Sequence, residues 1–306
     1  MYNTLIPPTY ELSDYKNWLK HLEDEGYVVI KNILSNDENI MAQSQFKQDW
    51  NKVTPNFDWE NKDTWTTNNS PMVWGKSLAV FNGFGQSKFM WMLRTNEKVK
   101  CAFEKIYNTD KLAVSFDGFS VFLSPKQKSP SWLHQDQRSG DNRLSVQGIV
   151  NLLKVSKEDA GFVCVPKSHK THIPPNSNRD WVMLDKNDAH YQKAVKLIID
   201  ENCLTLWNSK TIHSNSPMKS KHSKGIHLNR LSAYITFMPK SRQTDEIIKK
   251  RVDGYINGDS TSHWSDRHEI KNIPFHLKKR YLEREFNRIT PELKCGMIPE
   301  EYLSMI

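Results

Sequence analysis

Short runs of β-forming residues, separated by turn formers, fill the middle of the chain, and this pattern limits the possible folds more than any other feature. The runs lie at 112–123, 144–153, 161–165, 203–207 and 230–238. Helical periodicity precedes them at 13–24, 37–50 and 88–107, and helix and loop return beyond 243. Helices first and a mainly antiparallel β part second predict an α+β protein whose strands form a sandwich or a barrel.

The length of the chain leaves the number of domains open, but its organisation favours one. Its 306 residues would allow two domains of about 150 residues, yet no internal repeat and no linker rich in Gly, Ser or Pro divides them. We therefore expect a single domain over 1–306, with its core at about 22–240 and a helical C-terminal extension over 241–306. The Trp-rich stretch at 51–85 is predicted to be a long ordered loop, which could serve as a lid or simply pack on the core.

The composition is basic, with 43 Lys and Arg residues against 35 Asp and Glu residues and a formal net charge of +8. Basic faces attract phosphate backbones, so nucleic acid is a partner to consider. The basic residues are spread along the chain, however, and the densest cluster, at 249–251, is expected on the solvated face of an amphipathic helix. Charge alone therefore leaves a nucleic-acid partner undecided.

The sequence also gives an expectation for the compartment. No run approaches the ~18 apolar residues that span a bilayer, and the first twenty residues lack a basic segment followed by an apolar one. The cysteines are isolated from one another, so reduced thiols are expected at Cys101, Cys164, Cys203 and Cys295. We therefore expect a cytoplasmic protein with no membrane span, and the sequence gives no indication of its oligomeric state.

The sharpest local signal for chemistry is the segment Trp-Leu-His-Gln-Asp at 132–136. In an extended chain, residues two apart share a face, so His134 and Asp136 can aim an imidazole and a carboxylate at one point. A second histidine would complete the facial triad that binds non-haem iron(II) and leaves three coordination positions open. A His-x-Asp sequence alone is weak evidence, because a surface histidine beside an aspartate is commonplace.

The second histidine has several candidates, of which His213 has the most suitable context. It follows a short strand and a turn, and Arg230 begins an alternating strand seventeen residues later. His222 and His227 remain alternatives, although neither has this strand-turn context. A cavity-facing Arg230 would be a costly buried charge unless an anion met it, and a dicarboxylate co-substrate would supply that anion through a bidentate pair.

Together these residues resemble the phytanoyl-CoA dioxygenase family of Fe(II)/2-oxoglutarate-dependent oxygenases. Further segments are similar to the family in the same order: its opening strand, its Gly-rich turn with Pro-x-Ser-His, its distal-histidine strand and its arginine strand, at 26–31, 159–170, 206–215 and 229–235. The resemblance covers roughly 22–240. The spacing from His213 to Arg230 is longer than is common in the family, with a basic insertion at 219–224.

The resemblance implies a fold, a set of roles and a reaction. It implies a double-stranded β-helix, the cupin-like jelly roll, with helices packed on it at both ends of the chain. It implies that Fe(II) is held by His134, Asp136 and His213, and that 2-oxoglutarate is bound by Arg230 and Asn215 before O₂ reacts. Asn215 could equally be an ordinary turn residue. Related halogenating enzymes lack the carboxylate at position 136, so hydroxylation of a small-molecule C–H bond, with succinate and CO₂ as co-products, is favoured.

Other functions remain open from the sequence. Arg138, two residues beyond Asp136, is a candidate contact for an anionic substrate or simply a surface arginine. The 219–224 insertion could hold a nucleotide-bearing or nucleic-acid substrate. A jelly-roll binding module without turnover, or a zinc hydrolase with the same three ligands, would be consistent with parts of the pattern. The module would be expected to have lost a ligand, and the hydrolase would leave the cavity arginine unexplained.

Overall fold

The computed structural model describes the chain in six stretches, 2–73, 77–123, 132–174, 180–219, 224–274 and 286–306. These residues form two compact units, each built from two stretches of chain. Unit 1 comprises Met1–Ile33 and Phe122–Ser232, and unit 2 comprises Leu34–Val121 and Ala233–Ile306. The expectation of one domain over 1–306 stays a prediction.

The helices follow the predicted periodicity closely. In chain order they are α1 (Tyr15–Glu25), α2 (Asn36–Val53), α3 (Lys88–Arg94), α4 (Glu97–Tyr107), α5 (His190–Lys193), α6 (Asp245–Ile256) and α7 (Glu300–Leu303). The stretch predicted as helical at 88–107 is two helices rather than one. Asn96 separates them, because its side chain accepts hydrogen bonds from the backbone N–H groups of Lys98 and Val99 and so caps α4. In the part of the chain that is described, no helix is both long and apolar enough to cross a membrane.

The strands are short. In chain order they are β1 (Asn3–Leu5), β2 (Thr9–Tyr10), β3 (Tyr27–Ile30), β4 (Leu78–Ala79), β5 (Leu112–Val114), β6 (Phe119–Phe122), β7 (His134–Gln135), β8 (Val146–Asn151), β9 (Gly161–Cys164), β10 (Val182–Met183), β11 (Val195–Leu197), β12 (Cys203–Asn208), β13 (His213–Ser216), β14 (Arg230–Ile235) and β15 (Phe237–Pro239). All five runs predicted as β structure contain strands. Several two- and three-residue strands were not predicted, since they are too short for any periodicity.

Unit 1 is a jelly roll of two mainly antiparallel sheets. One sheet has the strand order β1-β11-β9-β13-β7-β10, and within this unit the other has the order β2-β3-β12-β8-β14. The sheets pack face to face, since the Trp207 ring of the second sheet lies 4.8 Å from the Phe162 ring and 5.2 Å from the His213 ring of the first. The predicted α+β class with a jelly-roll core is confirmed.

Unit 2 contains most of the helices, two small strand pairs and an aromatic core. Strands β4 and β6 pair antiparallel, as do β5 and β15. Helix α2 begins with a capping box, in which the Ser35 hydroxyl accepts from the Glu38 N–H and the Glu38 carboxylate accepts from the Ser35 N–H. Its buried face packs against rings from the rest of the unit, namely Phe57, Trp59, Phe84, Phe89 and Phe119.

The described residues of the stretch predicted as a loop over 51–85 are not entirely loop. It begins with the last turn of α2 and includes β4 and two short 3-10 turns. Trp59 and Trp65 pack on Phe57 within unit 2. These contacts favour the packing alternative for this part of the stretch, while Trp74 lies outside the described residues. A role as a lid stays a prediction.

The C-terminal extension is helical only in part, and one expectation about it is wrong. Helices α6 and α7 are present, but the described residues between them are irregular. Arg251 of α6, expected on a solvated face, is fully buried. Its guanidinium lies 4.3 Å from the centre of the Phe116 ring and donates to the backbone oxygens of Val114 and Ile306. The guanidinium is planar and carries five N–H donors, so a buried arginine can stack on a ring and donate to several oxygens at once. A lysine ammonium has no planar group for such stacking.

Candidate metal and co-substrate site

Three ionisable side chains converge in unit 1, and all three were predicted as a metal site. One possible ligand atom from each of His134, Asp136 and His213 lies within 4.8 Å of the others. The two histidines are direct partners in the antiparallel pairing of β7 with β13, and Asp136 follows β7. Directly paired residues point to the same face of a sheet, and so do residues two apart in a strand. The strand register therefore brings the three side chains together.

Each imidazole is oriented by the backbone carbonyl two residues before it. His134 Nδ1 lies 3.0 Å from the Trp132 oxygen, and His213 Nδ1 lies 2.9 Å from the Thr211 oxygen. A carbonyl can only accept, so Nδ1 carries the proton and donates it in both rings, which leaves the lone pair on Nε2. Both Nε2 atoms face the Asp136 carboxylate, at 3.5 Å from Oδ1 and 3.3 Å from Oδ2.

Asp136 is held by one hydrogen bond to its carboxylate and one from its backbone. Its oxygen Oδ2 accepts a 3.0 Å hydrogen bond from the side-chain amide of Gln147, and the Asp136 backbone N–H donates to the Ser209 carbonyl. The Ser209 hydroxyl is 2.7 Å from the Ser145 hydroxyl and 3.3 Å from the Gln147 amide nitrogen. All of these partners except Asp136 itself are buried. The Gln147 amide thus orients the carboxylate, and the Ser209 carbonyl holds the backbone that carries it.

This donor set fits the metal that the sequence predicts. Two imidazole nitrogens and one carboxylate oxygen, held close together on one face, form the 2-His-1-carboxylate arrangement of non-haem iron sites. Hydrogen bonds from the outer atoms of each ligand are also typical of metal centres, since they fix ring orientation and tautomer. His227, an alternative to His213, does not join the cluster, and His222 lies outside the described residues.

Arg230 and Asn215 are in direct contact, as expected for two residues that bind one ligand. Arg230 is only 1 % exposed, and its Nη1 donates to the Asn215 side-chain oxygen at 2.7 Å. Its Nε donates to the Ser232 hydroxyl, which in turn donates to the side-chain oxygen of Asn151. Asn215 lies in strand β13, two residues after His213, so it is not a turn residue. The arginine is therefore held rigidly, with its charge inside unit 1.

A buried lysine of the same unit was not singled out from the sequence. Lys196 of β11 donates to the backbone oxygens of Ser156, Lys157 and Asp159. Burial lowers the pKa of its ammonium to about 8, an effect opposed by Asp159 and reinforced by Lys219 and Arg230. Its strand has only three residues, too few for a periodic pattern that would have indicated its burial.

Arg138, the candidate substrate contact, lies at the surface. Its side chain is half exposed, and its Nε is 3.7 Å from the Asp180 carboxylate. This position agrees with the alternative of an ion-paired surface arginine, and contact with an anionic substrate stays a prediction. Most of the 219–224 insertion lies outside the described residues, so its predicted role also remains open.

Comparison with known proteins gives a family for this arrangement. Residues 22–226 match the phytanoyl-CoA dioxygenase (PhyH) family. The chain is 26% identical over 261 residues to Ava biosynthesis cluster protein O of Aspergillus versicolor, covering 78% of this chain and 82% of that protein.

Two solved structures share the fold. The epimerase SnoN in complex with Fe3+, α-ketoglutarate and nogalamycin RO has a TM-score of 0.53 and 16% identity, covering 74% of this chain and 84% of SnoN. The α-ketoglutarate-dependent carbocyclase SnoK from nogalamycin biosynthesis has a TM-score of 0.54 and 15% identity, covering 89% of this chain and 93% of SnoK. With the match over 22–226, the chain belongs to the phytanoyl-CoA dioxygenase family, whose enzymes use Fe(II), 2-oxoglutarate and O₂.

Proposed function

We propose that this enzyme hydroxylates a C–H bond of a small molecule and releases succinate and CO₂, with His134, Asp136 and His213 as the iron ligands. The observation that carries the proposal is the convergence of these three side chains in the same unit as the buried Arg230–Asn215 pair. A metal site alone would also suit a zinc hydrolase. A buried arginine in contact with Asn215, two residues beyond His213 in the same strand, favours an enzyme that binds a dicarboxylate.

The residues of this chain have separate roles in the proposed reaction. Fe(II), when bound with 2-oxoglutarate, would activate O₂, which is the oxidant for both 2-oxoglutarate and the C–H bond. Arg230 binds the distal carboxylate of 2-oxoglutarate through its planar fork, and its contact with Asn215 fixes the direction of that fork. Because the arginine is buried, the pair is screened little by water.

The names of similar proteins support a small-molecule substrate. The fungal relative is named for a biosynthesis cluster, and the SnoN complex contains nogalamycin RO. The names epimerase and carbocyclase show that proteins of this fold do more than hydroxylate. Product analysis by mass spectrometry would separate hydroxylation, which adds one oxygen atom, from the other outcomes.

The first test is an anaerobic titration with Fe(II) and 2-oxoglutarate, following the metal-to-ligand charge-transfer band in the visible range. We expect a band for the unmodified protein, no band for His213→Ala and a weakened band for Arg230→Ala. His227→Ala is the matched control, because this half-buried histidine lies outside the three-residue cluster. Bound metal without a band would contradict the oxygenase proposal, and a band that survives His213→Ala would show that another histidine is the ligand.

A further inference from the structure

The metal ligands share their sheet face with apolar side chains from an edge strand. Strand β10 is the last strand of its sheet within the described residues and pairs only with β7 there, with Met183 opposite His134 and Val182 opposite Gln135. Directly opposite residues point to the same face. Met183 therefore lies on the face of the metal ligands, and Val182 points to the other face with Gln135.

Two tryptophans lie on the same face and flank His134. Trp132 precedes His134 by two residues, and the two rings stack with 4.4 Å between their centres and 5° between their planes. Trp181 precedes Met183 by two residues, and its ring centre lies 5.8 Å from that of His134. One face of the Trp132 ring is thus occupied by a proposed iron ligand, whereas the tilted Trp181 ring makes a looser contact.

Exposure distinguishes the two faces of this edge strand. His134 is only 4 % exposed, but Trp181 is 40 % exposed and Met183 is 48 % exposed, while Val182 on the other face is buried. Single exposed apolar residues are ordinary on protein surfaces. Here, two neighbouring large ones lie on the one face that also carries the metal ligands. Apolar surface left open beside a concentration of polar groups is typical of ligand sites.

We propose that Trp181 and Met183 form a platform that binds a planar aromatic ring system of the substrate next to the iron site. This inference rests on the proposed function. Indole rings stack with other aromatic rings in offset or edge-to-face geometry, and the methionine thioether makes favourable contacts with aromatic rings. A carbohydrate can also stack on tryptophan, but the exposed methionine beside it favours an aromatic ligand.

The rim of the platform fits a ring that carries a polar substituent. Asp180 directly precedes Trp181, and its carboxylate lies 3.7 Å from the half-exposed Arg138. A surface ion pair of this kind contributes little to stability, so its groups can exchange partners at low cost. A hydroxyl group on the bound ring could hydrogen-bond to either residue. The probe for the test is therefore 2-naphthol, a neutral planar phenol.

The test is a titration of 2-naphthol into the metal-free protein, followed by saturation-transfer NMR, with decahydro-2-naphthol and methyl β-glucoside as comparison ligands. The saturated analogue has the same carbon skeleton and hydroxyl group but no aromatic face. We expect 2-naphthol to bind most tightly, and its affinity to fall about tenfold in Trp181→Ala, which corresponds to loss of a stacking contact. Met183→Ala should weaken binding less, and Trp181→Phe should restore most of it.

A second measurement places the probe relative to the metal. With Mn(II) and 2-oxoglutarate bound, the paramagnetic ion should shorten the relaxation times of the 2-naphthol protons in the unmodified protein and not in Trp181→Ala. Tyr15→Ala, which removes an exposed aromatic residue of α1, is the control and should change neither result. Failure of Mn(II) to bind would count against the proposed function, and the metal-free titration would still decide the platform. Equal affinity for 2-naphthol in Trp181→Ala, or preference for the glucoside, would overturn the inference.

Discussion

Among single residues, Gln147 has the most direct influence on the proposed iron site without being a ligand. Its side-chain amide nitrogen donates to Asp136 Oδ2 at 3.0 Å and lies 3.3 Å from the Ser209 hydroxyl. Without this donor, the carboxylate would keep one hydrogen bond fewer and could rotate away from the two histidines. Outer-shell partners of this kind typically account for a 10- to 100-fold difference in metal affinity, by the order-of-magnitude rule for such residues.

We therefore expect Gln147→Leu to weaken binding of Co(II), a spectroscopic substitute for Fe(II), by about 10- to 100-fold. Calorimetry would measure the dissociation constant, and the d–d spectrum of bound Co(II) would report a changed ligand geometry, which a purely structural role would not alter. Gln192→Leu, at an exposed position of α5, is the matched control. Unchanged affinity and spectrum in Gln147→Leu would mean that the amide does not hold the carboxylate.

His169 is a residue through which the stability of the fold should depend on pH. Its Nε2 lies 2.9 Å from the Glu23 carbonyl, so this histidine connects the turn after β9 to α1. Burial lowers the pKa of this imidazole below its usual value, an effect opposed by the Glu23 hydrogen bond. The unfolded chain therefore takes up this proton at a higher pH than the folded chain does.

Because the pKa of His169 is lower in the folded chain than in the unfolded chain, acidification should destabilise the fold. As the pH falls through about 6.5, the unfolded state gains protons first, and the free energy of unfolding decreases until the folded-state pKa is passed. We expect His169→Gln to lose less stability between pH 7.5 and pH 5.5 than the unmodified protein, as measured by urea unfolding. Parallel pH dependence in the two proteins would rule out this contribution.

The sequence predicted the clustering of His134, Asp136 and His213 but not the residues that support them, and the reason is physical. His134 and Asp136 are two apart in an extended segment, so their shared face can be read from spacing alone. Gln147 contacts Asp136 because the chain between β7 and β8 folds back. The course of that connection cannot be predicted from periodicity. Arg251 was wrongly expected at the surface because charge patterns reveal neither a nearby Phe116 ring nor the backbone oxygens that accept from its guanidinium.

At the scale of elements, the junction after α1 connects the first helix to the strand that carries His213. Gly26 ends α1 with a φ of 81°, a left-handed conformation that favours glycine. Its carbonyl accepts from the Thr211 hydroxyl at 2.7 Å and from the Asn208 N–H at 3.0 Å. The Thr211 carbonyl accepts in turn from His213 Nδ1. The end of a helix thus supports the orientation of a proposed metal ligand.

Gly26→Ala should be strongly destabilising. A Cβ at this position would overlap the side chains of His169 and Thr211, and the backbone conformation would be strained for alanine. We expect a loss of about 2 to 4 kcal/mol in the free energy of unfolding, from strain and overpacking together. Gly140→Ala is the matched control, because nothing lies within 4 Å of its added Cβ, and its effect should stay within about 0.5 kcal/mol. Equal midpoints of urea unfolding for the two variants would contradict this reading of the junction.

At the scale of the whole molecule, the order of helices and strands could be predicted from the sequence, whereas the pairing of distant strands could not. The short run at 203–207 could be recognised as β structure because both faces of β12 are buried and its residues are mostly apolar. Strands β1 and β11 have three residues each and pair in parallel, although they lie far apart along the chain. No local pattern reports such a distant partner.

Binding of the metal and co-substrate should stabilise the folded chain as a whole. A ligand that binds only the folded state stabilises it by about 2.7 kcal/mol at a hundred times its dissociation constant. We expect Mn(II) with 2-oxoglutarate to raise the melting temperature of the unmodified protein, and Mn(II) alone to raise it less. Thermal unfolding of His213→Ala should show almost no shift, and a full shift in that variant would place the ions elsewhere.

The pairing of residues 1–33 with strands that come much later in the chain has a consequence during synthesis. Strand β3 consists of four apolar residues, and its partner β12 lies more than 170 residues further on. During synthesis, the apolar strand β3 therefore leaves the ribosome long before its partner β12 has been made. Residues 34–121 of unit 2 are synthesised between the two strands. Exposed apolar strands that lack their partner bind chaperones and are prone to aggregate. Expression yield should accordingly depend on translation rate and temperature more than the final stability would suggest.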